Sequence, residues 1–192
     1  MKIRLAGELQ SDSIVDGEGL RTVIWTQGCS HNCLGCHNPE THDFKGGFEL
    51  DVEDLKKKIK NTKYQDGVTL SGGDPFFQIP ACLEIAKYCH TLNLNVWCYT
   101  GYTFEQLMTI SKKNTKVLEF LEQIDVLIDG RFDLSKKSLN VKFRGSTNQR
   151  IIDVKKSLEV GYACIITKYD NGLQNGDFRI NSIFNSKKEV YI

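Results

Sequence analysis

The chain has 192 residues, 40% hydrophobic and 26% charged, with a formal net charge of +1. That length and balance fit one domain with a real core, residues 1–192, and exclude the strongly basic surface of a nucleic-acid binder. No run approaches the ~20 apolar residues of a membrane span, and the N-terminus lacks an apolar core of signal-peptide length, so the expected compartment is the cytoplasm.

The predicted elements alternate between strand and helix. "RTVIWTQ" (21–27) is β-branched and aromatic and ends at Gly28, which predicts a strand. Residues 51–61 place Val52, Leu55 and Ile59 on one helical face, with Asp51 as cap, acids at the start and lysines at the end. "GVTLS" (67–71) is a second strand. Gly72-Gly73 follow it, and Asp74-Pro75 can cap and start a turn of helix. Cys82, Ile85, Ala86 and Cys89 share a helical face. "LNVWCYT" (94–100) is a third strand. Thr103 with Gln106 forms a capping-box pattern, and residues 115–123 continue as helix. "IDVLID" (124–129) is a fourth strand. Residues 150–154 read as a fifth strand or a helix start, and "YACIIT" (162–167) as another strand. The order implies a mostly parallel sheet with right-handed crossovers. A closed eight-unit barrel takes ~250 residues, so the expected fold is α/β, an incomplete (β/α) barrel. Its site is expected at the C-terminal ends of the strands, where the loop after Gly28 and Gly72-Gly73 can meet.

The chemistry concentrates in "GCSHNCLGC", where Cys29, Cys33 and Cys36 follow a C-x3-C-x2-C spacing. Seven cysteines in a reducing compartment argue against disulfides, and an odd number cannot pair completely. Burial as small hydrophobes conflicts with a polar, glycine-punctuated loop. A zinc site would need a fourth ligand, for which His31, His37 and His42 are candidates. A C-x-x-C redox pair of Cys33 and Cys36 leaves Cys29 idle. The remaining reading is a four-iron cluster held at three corners, leaving one iron open for chemistry. Gly28 and Gly35 precede ligands and let the backbone wrap a cluster. Cys82, Cys89, Cys98 and Cys164 read as core thiols, and His42 and His90 as ordinary histidines.

C-x3-C-x2-C followed by Gly-Gly-Asp resembles the radical S-adenosylmethionine enzymes. "VDGEGLRTVIWTQGCSHNCLGCHNPETHD" is similar to the signature of the glycyl-radical-enzyme activating branch. "LSGGDPF", "WCYTGYTFEQL", "VLIDGRF" and "FRGSTNQRI" then resemble, in order, the activators of anaerobic (class III) ribonucleotide reductase. The resemblance covers residues 12 to about 154; residues from about 155 to 192 lie outside it and are unassigned.

The resemblance implies that Cys29, Cys33 and Cys36 hold a 4Fe-4S cluster and that S-adenosylmethionine chelates the open iron. Gly35, Cys36 and His37 would lie against S-adenosylmethionine, and Gly72, Gly73 and Asp74 would approach its ammonium, largely through backbone oxygens. A bulky side chain at 72 or 73 would bar that approach. It further implies reductive cleavage to a 5′-deoxyadenosyl radical, which takes hydrogen from a glycine of the reductase large subunit. Reduced flavodoxin or a similar donor supplies the electron, and no side chain is expected as acid or base. Nucleic acid and membrane are not expected as partners. The alternatives are activation of another glycyl radical enzyme such as formate lyase, or a non-catalytic zinc- or cluster-binding adaptor. Tyr99-Thr100 departs from the Asp-Thr that helps hold a monovalent cation in the formate-lyase activators, which puts such an ion in doubt. Asp16 is read as a helper of the glycine loop or as a turn residue. Arg131, Arg144 and Arg150 are candidates for a carboxylate or partner contact.

Overall fold

The computed structural model describes residues 1–169. Four parallel strands form the centre of one nine-stranded sheet: β3 (Arg21–Thr26), β5 (Gly67–Gly72), β6 (Asn95–Tyr99) and β7 (Val126–Asp129). These are the four strands expected from their β-branched runs. Antiparallel strands flank them. β1 (Lys2–Leu5) joins β3 to β4 (Phe48–Asp51), β2 (Gln10–Ser13) pairs with β3, and β8 (Arg150–Asp153) and β9 (Cys164–Ile165) extend the far edge. The periphery was not read as strand at 2–5, 10–13 or 48–51, and residues 162–167 pair over only two positions before a 3-10 turn at Thr167–Tyr169.

Strand side chains alternate between two faces. Val68, Leu70, Val96, Cys98 and Leu127 point toward the helices α1 (Val52–Asn61), α2 (Ile79–Thr91), α3 (Phe104–Ser111) and α4 (Thr115–Leu121), forming the main core. Asp51 caps α1 through the Glu53 N–H, and Thr103 and Gln106 close the capping box of α3. The helix expected to run on into 115–123 instead restarts, because Asn114 caps α4 anew. At 150–154 both readings hold in succession: the strand ends at Asp153, whose side chain caps α5 (Val154–Val160).

The opposite, concave face carries Trp97, Ile128, Ile151 and Tyr169, with Tyr99 and Phe143 packed against them. Arg21 is fully buried here. It donates to Thr69 Oγ1 (2.6 Å), Val68 O (2.7 Å), Asn95 Oδ1 (2.8 Å) and Glu18 O (3.1 Å), and its guanidinium lies 5.1 Å from the Trp97 ring centre. Burial pushes Arg21 down to about 10, so it remains charged at neutral pH. Residues 155–169 thus complete the sheet and close this face through Tyr169; the rest of the unassigned segment, 170–192, lies outside the described residues.

Candidate metal centre

The three cysteines lie on a loop between β3 and β4 that has almost no regular structure, so side chains and backbone caps must hold it. Gln27 Nε2 donates to Glu40 O (3.1 Å) and Asp43 O (2.6 Å), closing the base of the loop. Gln78 Nε2 donates to Gln27 O (2.9 Å), tying that base to the start of α2. Gly28 N–H donates to Thr41 O (2.8 Å) and Cys29 N–H to His42 O (3.2 Å), while Cys36 N–H turns back to Cys33 O (3.1 Å).

Cys29, Cys33 and Cys36 are all half-buried free thiols and line one cavity of about 750 Å³. Burial pushes the Cys29 thiol up to about 11 and raises Cys33 as well. Backbone amides oppose this: that of His31 at Cys29, and those of Phe132 and of Cys33 itself at Cys33. Sulfur atoms placed in low dielectric with amide protons aimed at them favour thiolate once a cation is present, so the donor set suits an iron–sulfur cluster. Among the described residues, no three His, Cys, Asp or Glu side chains converge on a single metal ion. A cubane does not need such convergence, because each thiolate binds a different iron. His31, a candidate fourth zinc ligand, already has its Nε2 at 2.7 Å from Asp74 Oδ2.

The same cavity is lined by His37, Gly72 and Gly73, but not by Gly35 or Asp74. Gly35 turns at φ +74° and packs toward Leu134. Gly73 is required for a nearer reason than cofactor approach. A Cβ there would lie 2.4 Å from Gly28 O and 2.9 Å from Gly28 C and N, so the turn after β5 packs backbone to backbone on the cysteine loop. Gly73 N–H and Asp74 N–H complete that contact by donating to Thr26 O (2.7 Å) and Gly28 O (3.0 Å).

Asp16, Arg131 and Arg144 line the cavity, whereas Arg150 lines a neighbouring one. Arg150 is committed to an ion-pair network with Asp129 and Glu105, which holds Glu105 below the usual carboxylate range. "RGSTNQR" works largely as a self-folding turn: Gln149 Oε1 accepts from Gly145 N–H (3.0 Å) and Ser146 N–H (3.2 Å), and Gln149 Nε2 donates to Gly130 O (3.1 Å). Sequence reasoning missed Gln27, Gln78 and the Phe132 amide, none of which carries a local signal. It also missed the role of Tyr99, whose buried hydroxyl donates to Phe143 O (2.6 Å) and holds the 138–145 loop at the cavity. Cys82, Cys89 and Cys98 are buried as expected, while Cys164 is only half-buried, because β9 is an edge strand.

Residues 15–152 match the family model described as a 4Fe-4S single cluster domain, which defines the class as an iron–sulfur protein with one cluster. The anaerobic ribonucleoside-triphosphate reductase-activating protein of Pasteurella multocida is 35% identical, over 72% of this chain and 90% of its own length. The pyruvate formate-lyase-activating enzyme of Clostridium pasteurianum is 37% identical, over 61% of this chain but 52% of its own length. The crystal structure of QueE from Escherichia coli aligns with a TM-score of 0.43 and 18% identity, covering 54% of each chain. The chain belongs to the family of anaerobic ribonucleoside-triphosphate reductase-activating proteins. No helix among the described residues is long and apolar enough to cross a membrane.

Proposed function

We propose that this chain activates an anaerobic ribonucleotide reductase by making a glycyl radical on the reductase large subunit. The observation that carries the reading is the meeting of three half-buried thiols and the Gly72-Gly73 turn in one cavity, beside the C-terminal ends of β5 and β6. When bound, the cluster and S-adenosylmethionine would together supply the chemistry, reductive cleavage of the sulfonium and removal of a hydrogen atom from the partner glycine.

The chain's own residues seat and enclose these groups. Cys29, Cys33 and Cys36 would hold the cluster through three thiolates, leaving its open site to S-adenosylmethionine. Gly72 and Gly73 would present backbone to its ammonium, and Cys36 and His37 would form the adjoining wall, with Gly35 turning behind it. His37 packs 5.0 Å from the Phe132 ring, which fixes that wall. A cavity of about 750 Å³ has the size of a small-molecule site. Ile14, Val15 and Leu139 stand strongly exposed at its edge, where a polypeptide loop can enter. Reduced flavodoxin or a similar low-potential donor provides the electron, in a reducing cytoplasm where free thiols persist.

The formate-lyase reading is supported less. Its relative is covered over only half its length, and Tyr99 fills the place of the aspartate that helps hold a cation there. Anaerobic reconstitution with iron and sulfide tests the proposal. About four irons per chain, 5′-deoxyadenosine formed after reduction, and a glycyl radical signal on mixing with the reductase are expected. Single replacement of Cys29, Cys33 or Cys36 by Ala should abolish cleavage and keep the fold. A glycyl radical on formate lyase alone, or tight zinc with no cleavage, overturns it.

A further inference from the structure

Asp74 ends the Gly-Gly-Asp turn, yet it does not itself line the cavity and is 1% exposed. Oδ2 accepts from His31 Nε2 (2.7 Å), Thr100 Oγ1 (2.8 Å) and Gly101 N–H (3.0 Å), and Oδ1 accepts from Phe76 N–H (3.0 Å). Even its carbonyl is engaged, accepting from Phe77 N–H at 3.0 Å. One carboxylate therefore joins the cysteine loop, the turn after β5 and the end of β6.

We propose that His31 and Asp74 form a buried anchor that fixes the Cys29–Cys33 segment, and that through it Asp74 sets how the cluster is seated and at what potential it is reduced. Asp74 is then a positioning residue that does not touch the cofactor. His31 lies between two ligand cysteines, and its backbone amide pulls the Cys29 thiol back down against the effect of burial. Its ring meets Tyr102 edge-on at 4.7 Å and Phe77 at a tilt at 5.8 Å. Gly101 leaves no slack: a Cβ there would come within 2.4 Å of the ring. With the ring held on these sides, the stretch of backbone that carries it between Cys29 and Cys33 is held as well. Amide bonds to ligand sulfur tune cluster potential, and buried hydrogen bonds of this kind gain strength in low dielectric.

The inference rests on the three cysteines holding the cluster, and its test separates the two. Wild type, His31→Ala, Asp74→Ala and the double variant are compared for iron and sulfide content, electron paramagnetic resonance spectrum and midpoint potential of the reduced cluster, and S-adenosylmethionine affinity. Each single variant should hold iron about 10–100-fold more weakly. Both should alter the spectrum and potential in the same direction, and the double should be no worse than the more affected single. Asp74→Asn, which keeps an acceptor, should recover part of the loss. Additive effects overturn the anchor, as does an Asp74→Ala protein that loses only S-adenosylmethionine affinity. If the alanine variants do not fold, Thr100→Val removes one donor to Asp74 and should shift the spectrum in the same direction by less; an unchanged spectrum overturns the anchor. In the cluster-free chain, amide hydrogen exchange over residues 29–33 should rise about tenfold in both single variants. Unchanged exchange overturns the anchor whether or not iron binds, whereas failure of the wild type to take up iron overturns the cluster reading alone.

Discussion

The two faces of the sheet are built on different physics. On the helix side, Val68, Leu70, Val96, Cys98 and Leu127 meet Leu55, Ile85, Leu107 and Phe120 in a dry, apolar layer. Its stability is area removed from water, at roughly 1.5–3 kcal/mol per large side chain. On the concave side, the strand neighbours of those residues are Thr69, Ser71, Trp97 and Tyr99, joined by a buried guanidinium and a cavity. Each polar group there needs a named partner, because burial without one is costly. The difference separates holding the fold from holding the cluster. Substitutions on one face should leave the function of the other readable.

The largest expected effect comes from Gly73→Val, at the seam between the faces. Valine there would drive into the Gly28 backbone, which has no rotamer by which to yield. The cysteine loop must shift, so iron content should fall about tenfold or more, together with S-adenosylmethionine affinity. The resemblance alone suggests loss of cofactor affinity with the cluster kept; backbone packing makes the two losses inseparable. Iron and sulfide assays beside cofactor titration check this. Full iron content would show that the seam is softer than its geometry.

A core truncation on the helix side should do the opposite. Leu55 on α1 is fully buried, so Leu55→Ala should cost about 2–5 kcal/mol of stability through lost burial and a residual cavity. The melting midpoint should drop by about 2–4 °C per kcal/mol for a chain of this size. The folded fraction should still load a full cluster with an unaltered electron paramagnetic resonance spectrum. A changed spectrum would mean that the two faces are coupled after all.

This division also explains what was legible in the sequence. Helices α1 and α2 show their apolar stripe because each lays one face on the sheet, and Asp51 and Thr103 mark the starts of α1 and α3 locally. The central strands are legible because both their faces are covered. β2, with three of its four residues exposed, has no such pattern and is a strand only because β3 offers a partner. The three thiols stand out because the proposed cluster ligands are close in sequence. Their support does not stand out: His31 and Asp74 are 43 residues apart, and Tyr99 meets Phe143 across 44. No spacing rule joins such pairs, and only the folded chain brings them within hydrogen-bond reach.

The smallest expected effect lies at the lower rim of the concave face. Glu18 Oε2 accepts from Tyr169 Oη (2.7 Å) and Lys168 Nζ (2.8 Å), fastening residues 167–169 to the loop that carries Asp16 toward the cavity. The Lys168 and Tyr169 donors hold the Glu18 carboxyl below its ordinary value. A depressed carboxylate stabilises the fold at pH above its unfolded value, and that contribution fades as pH falls through the folded value. Glu18 and Lys168 are each more than half exposed, so solvent screening limits the contribution to below about 1 kcal/mol. Glu18→Gln should therefore lower the melting midpoint slightly at neutral pH, less so in high salt. The gap from wild type should close in acid, once the pH has fallen below the ordinary carboxylate range and the carboxyl gains its proton. A gap that persists in acid would assign the effect to packing of Tyr169 against Trp97 and Phe143, and would make this rim behave like the dry helix side rather than the polar face to which its partners belong.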